Sequence, residues 1–123
     1  MAINPRGDDL KRFLAEGGDE PVVMLNLLRF GPDGRQRYEE YTAHFRRTAG
    51  ASGAEVIYAG LGSTTLVAEP GQDWDAVLLV RYPNREAFTR MIADPAYQAG
   101  THLRTEALTE AVLQATVPWT ASG

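Results

Sequence analysis

Two kinds of apolar pattern alternate along the chain and predict its secondary structure. Apolar residues spaced three or four positions apart are typical of amphipathic helices, whereas short continuous apolar runs are typical of buried strands. Gly60 and Gly62 interrupt one extended segment and predict a bulge or a bend there. The predicted elements are, in order, a helix at 7–16, a strand at 22–30, a helix at 35–50, an extended segment at 55–69, a strand at 74–82, a helix from the Asn84 cap to Ile92, a helical piece to about Leu108 and a strand at 111–117.

The order of these elements predicts a fold. Without the first helix it is βαββαβ, the split βαβ pattern. Residues 22–30 align without gaps on residues 74–82, and each run ends in arginine and an aromatic residue before a turn and a helix. We therefore expect an α+β, ferredoxin-like domain with a four-stranded sheet of the antiparallel type and an extra N-terminal helix. Within it, the strands at 21–30 and 74–82 are expected to be adjacent and parallel.

The chain is expected to be one domain that pairs with a second copy. Its 123 residues suit a single domain, with a core at about 20–118, the first helix within 1–18 and a frayed tail at 119–123. Helices cover one face of such a sheet, yet both central strands are apolar on both faces. A second copy of the sheet would cover the other face, and two-fold pairs are the commonest assemblies. We therefore expect a homodimer packed sheet against sheet.

Composition excludes several classes of function. The chain has no cysteine, which rules out disulfides and thiolate catalysis. Its net charge is −4 and its longest basic run is Arg46-Arg47, so we expect no nucleic-acid partner. It has no apolar run long enough to span a membrane and no signal-peptide pattern at its start. We therefore expect a soluble cytoplasmic protein without a membrane partner.

Several strings of residues are more specific together than any one of them alone. They are Pro21 to Phe30, Tyr38 with Tyr41, Trp74 to Pro83, Asp94 to Gln98, and Arg104-Thr105. Together they resemble the domain of unknown function 1330 family over roughly residues 4–118. That family is similar in fold to the dimeric α/β-barrel superfamily, which includes cofactor-free monooxygenases, muconolactone isomerases, polyketide cyclases and haem-degrading enzymes. The resemblance implies a dimeric α/β barrel without a bound cofactor.

Three polar residues of the two central strands are candidate site residues. Asn26 places an amide among apolar neighbours, where an unpaired amide would cost about 1–3 kcal/mol. It either makes a structural hydrogen bond or orients a ligand. Arg29 and Arg81 occupy equivalent positions in the internal alignment, so we expect them to share a strand face and a strand end. Their anionic partner is either a carboxylate of the protein or a carboxylate or enolate of a substrate.

Histidines and tyrosines supply the remaining candidates. His102 and Glu106 are four apart on a helix, which is the spacing either of an acid–base couple or of an exposed helix pair. Members of the resembled family often carry histidine just before the Arg-Thr pair, a place that Leu103 takes here. His44 is expected to be exposed, and the two histidines lack a third ligand at recognisable spacing, so we expect no metal site. Among the aromatic residues, Tyr41 and Tyr58 are the better candidates for lining a pocket.

Three functions remain open at this point. The first is a cofactor-independent enzyme that acts on a small carbonyl-containing or phenolic metabolite by isomerisation, cyclisation or oxygenation. In such an enzyme Arg29 or Arg81 would stabilise an enolate, and His102 or a tyrosine would move a proton. The second is a non-catalytic module that binds a similar small molecule. The third is a haem-binding or haem-degrading protein, which needs His44 or His102 in the pocket. We expect that pocket between the sheet and the helices, with Asn26 at its floor and Arg81 near its rim.

Overall fold

The computed structural model describes residues 4–119, and the predicted tail at 120–123 lies outside them. Its elements follow the predicted order, with a short 3₁₀ turn at Gly50–Ser52 after the second helix. The helices and strands are α1 (Gly7–Ala15), β1 (Val22–Phe30), α2 (Gly34–Thr48), β2 (Glu55–Leu61), β3 (Ala76–Tyr82), α3 (Arg85–Ala93), α4 (Pro95–Gln98), α5 (Thr101–Ala107) and β4 (Leu108–Thr116). None of the helices within residues 4–119 is long and apolar enough to cross a membrane.

The four strands form one antiparallel sheet in the order β2-β3-β1-β4. The fold is therefore ferredoxin-like, and β1 and β3 are adjacent as predicted. The predicted direction of this pair was wrong, because Val22 pairs with Tyr82 and Leu28 with Ala76 in an antiparallel register. The two strand–helix–strand units interleave in the sheet. The neighbour of each strand therefore belongs to the other unit and runs in the opposite direction. The internal sequence match reflects equivalent places in the two units and not a parallel pairing.

The two faces of the sheet differ in their cover. Alternate residues of β1, including Val22, Met24 and Leu28, point toward the helices and are buried. The intervening residues point to the opposite face, which none of the helices within residues 4–119 covers, and we call this the open face. Its central positions are apolar and only partly buried within one chain: Val23, Leu25, Leu27, Val77, Leu79 and Val112.

Capping side chains and one close approach position the helices over the sheet. Asn84 Oδ1 accepts a hydrogen bond from the Ala87 backbone N–H at 2.7 Å, which confirms the predicted start of α3. Asp94 caps α4 in the same way through the Ala96 N–H at 2.9 Å, ahead of proline at the first helical position. Between α2 and α5, Gly100 lets the His44 ring approach so closely that a Cβ at position 100 would collide with it.

The extended segment is shorter than predicted. β2 ends at Leu61, opposite Ala76 of β3, and residues 62–75 form a loop. The sheet register shifts between Val56 and Tyr58, so the irregularity precedes the glycines that were expected to cause it. Beyond Leu61 the chain has no neighbouring strand to pair with, so its apolar residues Leu66 and Val67 do not extend the sheet and are 88% and 94% exposed.

Candidate ligand-binding cleft

A cleft of about 250 Å³ opens between the helix-facing side of the sheet and the C-terminal helices. β1 and β4 form its floor through Asn26 and Leu113, and the Asn4-Pro5 segment lies along one side. Polar groups converge on this space between apolar walls, as is typical of small-molecule sites. The remaining lining residues are Tyr41, Phe88, Ile92, Tyr97, Gln98, Thr101 and Arg104.

Arg104 is the one charged side chain among the described residues that line the cleft. It is 6% exposed, because it occupies a core-facing position of α5 between Gly100 and Ala107, which are also buried. Its Nη1 donates to Asn4 Oδ1 at 3.3 Å, and Asn4 Nδ2 donates in turn to Thr105 Oγ1 at 3.3 Å. A guanidinium held in such a setting favours an anionic, planar ligand group, since electrostatic attraction is strong where water is excluded.

Asn26 is a polar group at the floor of the cleft and is 9% exposed. Its Nδ2 donates to the Met24 carbonyl oxygen at 3.3 Å, which is a long hydrogen bond. Because a carbonyl accepts only from the nitrogen end of the amide, the bond uses one of the two Nδ2 N–H groups and leaves the second N–H group and Oδ1 for other partners. The predicted structural bond and the predicted cavity beside Asn26 are therefore both present.

Tyr41 and Tyr97 form the aromatic side of the cleft. Their hydroxyl oxygens are 2.7 Å apart and hydrogen bonded, and their rings meet edge to face. Burial, reinforced by Tyr97, raises the pKa of Tyr41 far above its usual range, so its hydroxyl stays protonated at neutral pH. Burial likewise raises the pKa of neighbouring Tyr38 to about 12, although the charge of Arg104 opposes the shift. Tyr41 is consequently a hydrogen-bonding group and not a base.

The histidines lie outside the cleft lining. His44 was expected to be exposed, but it is half-buried, and its Nε2 is 3.1 Å from the Tyr97 carbonyl oxygen. His102 is exposed on α5, and its expected partner Glu106 forms an ion pair with Arg37 instead, at 3.1 Å. The lining residues thus offer no imidazole as a haem ligand or a general base. No group of three potential metal-binding side chains occurs within residues 4–119.

Arg29 and Arg81 are on the open face and not at the cleft. They share that face as expected, but the prediction of a common strand end was wrong, because the antiparallel register places them at opposite ends. Arg29 Nε donates to Glu110 at 2.9 Å, and Nη2 donates to the Gly71 carbonyl oxygen at 2.8 Å. The hydrogen bond to Glu110 raises the pKa of Arg29, and the guanidinium holds the loop at 62–75.

The other open-face candidates are also remote from the cleft. Arg81 is exposed and lies directly opposite Glu55 of β2. Tyr58 is 57% exposed and lies over Gly60. Of the predicted site residues, the structure therefore brings together Asn26 and Tyr41 and adds Arg104. Arg104 entered the sequence analysis only as part of a family string. Its place in the buried stripe of α5, with Gly100 and Ala107, is the signal that would have identified it.

Taken with its two-layer architecture, the cleft defines a ferredoxin-like α+β protein with a small-molecule-sized site between sheet and helices. The chain belongs to the family described as domain of unknown function (DUF1330), whose model matches residues 28–116. No curated protein matches the sequence.

Solved structures agree with the fold. A protein of unknown function from Rhodopseudomonas palustris is 28% identical, with a TM-score of 0.86 over 96% of this chain and 97% of that one. A dimeric ferredoxin-like protein of unknown function from Jannaschia sp. CCS1 is 12% identical, with a TM-score of 0.61 over 80% and 99% of the two chains. A candidate antibiotic biosynthesis monooxygenase from Bacteroides thetaiotaomicron is 22% identical, with a TM-score of 0.53 over 85% and 94%.

Proposed function

We propose that this protein binds a small metabolite carrying an anionic oxygen, and acts on it as a cofactor-independent enzyme. The single observation that supports this most is the nearly buried Arg104 guanidinium at a cleft whose floor carries the Asn26 amide. A carboxylate, an enolate or a phenolate fits this pair, because a guanidinium attracts anionic oxygen atoms and the Asn26 amide has an N–H group to donate.

The chemistry that suits this cleft is stabilisation of an anion. Arg104 would attract the oxygen on which negative charge develops, in a site with little water to compete. The lining residues of the cleft include neither a carboxylate nor a histidine to act as a base. A substrate that is already an anion near neutral pH, such as the enolate of a 1,3-dicarbonyl compound or a phenolate like 4-nitrophenolate, has lost its proton to water before it binds and needs no base from the cleft. Isomerisation, cyclisation and oxygenation all proceed through such anions.

A non-catalytic binding module is the second candidate. It is favoured by the same composition of the lining, because a binding protein needs neither a base nor an acid. The two candidates share the ligand chemistry and differ in whether the bound molecule is converted. Mass spectrometry of compounds extracted from the purified protein, followed by incubation of those compounds with fresh protein, distinguishes them.

We also infer that two copies pair through the open face. The apolar centre of that face is left without cover by the helices of its own chain, and exposed apolar patches of this kind are typical of interfaces. The description of the Jannaschia structure as dimeric supports the inference. The ligand cleft lies on the opposite side of the sheet, so each subunit would hold its own complete site.

The anion site is tested with 4-nitrophenol, whose absorption spectrum distinguishes the phenol from the phenolate. Binding beside Arg104 is expected to lower the pKa of the probe by about 1–3 units, the usual effect of a close opposite charge. Arg104→Met should abolish the shift and Arg104→Lys should retain part of it. Arg81→Met is the matched control, because Arg81 is an exposed arginine of the open face. An unshifted probe, or equal loss in both methionine variants, would contradict the proposal.

A further inference from the structure

A second, larger cavity adjoins the cleft on the side of the N-terminal helix. It has a volume of about 510 Å³ and lies between α1 and the helix-facing side of β4. Asn4, Pro5, Phe88 and Leu113 line both this cavity and the cleft, so the two spaces adjoin along these four residues. We call the second space the α1 chamber.

The chamber exists because small side chains lie beneath a helix that does not fill the space above them. On the helix-facing side of β4, Ala111 and Ala115 flank Leu113, so two of the three positions lack bulk. Above them, α1 turns Leu10 and Phe13 toward the sheet, but none of its residues is fully buried. Close-packed interiors rarely leave such a space without use.

Three of the four charged side chains among the described residues that line the chamber contact neighbours on its rim: Asp9, Arg12 and Arg85. Arg12 Nη2 is 3.2 Å from Asp9 Oδ1. Arg85 donates to the Phe13 carbonyl oxygen at 3.0 Å and stacks over the Phe13 ring, 4.7 Å from its centre. The Arg85 contacts hold α1 against α3, and the apolar part of the lining includes Leu10, Phe13, Met24 and Phe88.

Because the two spaces adjoin, we propose that the ligand is amphipathic, with its anionic head at Arg104 and Asn26 and an apolar chain or ring in the α1 chamber. The inference rests on the proposed function, since the head is the group assigned to the cleft. An apolar cavity of about 150 Å³ already accepts benzene. The chamber is more than three times that size, so it suits a medium-chain or aromatic acid better than a short, wholly polar one.

Calorimetric titration with straight-chain carboxylates from butanoate to octanoate tests the proposal. Each added methylene buried in the chamber is expected to tighten binding about fourfold, which corresponds to about 0.8 kcal/mol. Ala115→Leu places three more carbon atoms in the chamber and should weaken octanoate binding at least about tenfold, since they displace two or more methylenes, while butanoate binds as before. Ala59→Leu is the matched control, because Ala59 is on the same face of the sheet but in the opposite edge strand, β2.

The outcomes separate this inference from the proposed function. Affinity that does not rise with chain length, or Ala115→Leu protein that binds octanoate as the parent does, overturns the α1 chamber as a ligand site. In that case butanoate binding that is lost in Arg104→Met still supports the anion site. Carboxylate binding that is indifferent to Arg104 overturns the anion site itself. Urea unfolding checks that the variant folds, and Ala111→Leu replaces Ala115→Leu if it does not.

Discussion

Replacement of Asn26 by leucine is expected to separate stability from ligand binding. The Asn26 amide is almost buried, and its cross-strand neighbours are Leu78 on β3 and Leu113 on β4. Within residues 4–119, its one hydrogen bond to the protein is the long contact with the Met24 carbonyl. A residue selected for stability alone would be apolar at this position.

The magnitude follows from two opposing terms. The variant loses one hydrogen bond, whose net contribution is about 0.5–1.5 kcal/mol. It gains the burial of a leucine side chain of similar size, which contributes about 1.5–3 kcal/mol when burial is complete. The free energy of unfolding of Asn26→Leu is therefore expected to be unchanged or higher, by up to about 2.5 kcal/mol. Binding of 4-nitrophenol should be lost, because the floor of the cleft no longer offers a polar partner.

Urea unfolding at neutral pH and the 4-nitrophenol titration measure the two quantities on the same protein. Asn84→Ala is a matched control, because Asn84 is a second asparagine whose amide caps α3 and does not line the cleft. It should lower the free energy of unfolding by about 1 kcal/mol and leave binding unchanged. A loss of more than about 1 kcal/mol of stability in Asn26→Leu, or unaltered binding by that variant, would refute the assignment of Asn26 to the ligand.

Two further perturbations test the buried tyrosine and the open face. Burial raises the pKa of Tyr41 in the folded chain, so above about pH 10 only the unfolded chain loses this proton. The urea midpoint should therefore fall as pH rises, and Tyr41 contributes about 1.4 kcal/mol per pH unit to this loss of stability. Tyr41→Phe should remove that contribution, and an equal pH slope in both proteins would contradict the reasoning. Leu25→Asp should convert a dimer to a monomer in light scattering, because it buries like charges across the two-fold axis. Leu14→Asp, on the exposed side of α1, is the control and should leave the dimer intact. A single-chain mass for the parent protein would refute the pairing.

Elements with a strong local pattern were predictable from the sequence. β1 has the predicted bounds. The N-termini of α3 and α4 follow from the capping chemistry of Asn84 and Asp94, which acts over only two or three residues. The end of β2 was not predictable in this way. Leu66, Val67 and Ala68 are apolar like strand residues, but a strand ends where its neighbour ends, and β3 begins only at Ala76.

Strand direction and the composition of the cleft depend on relations between distant residues. The internal repeat identified equivalent strands, but the repeat is the same whether the two units stack side by side or interleave. Interleaving reverses β3 against β1 and thereby separates Arg29 from Arg81. Asn26 was recognisable because a polar residue interrupts an apolar run. Arg104 was less visible, because its helix is short and the buried stripe of that helix becomes clear only when α2 is seen packed against it.

The choice among the three arginines follows from their surroundings. Arg29 already has a carboxylate, Glu110, at 2.9 Å, and a ligand would have to displace it. Arg81 is exposed to water, where an ion pair contributes at most about 1 kcal/mol. Arg104 is held nearly out of water at a cleft of ligand size, and an anion there gains more from the same charge because the effective dielectric constant is lower. The helix-facing side of the sheet is therefore the side on which binding an anion gains most, and the open face remains available for a second copy of the chain.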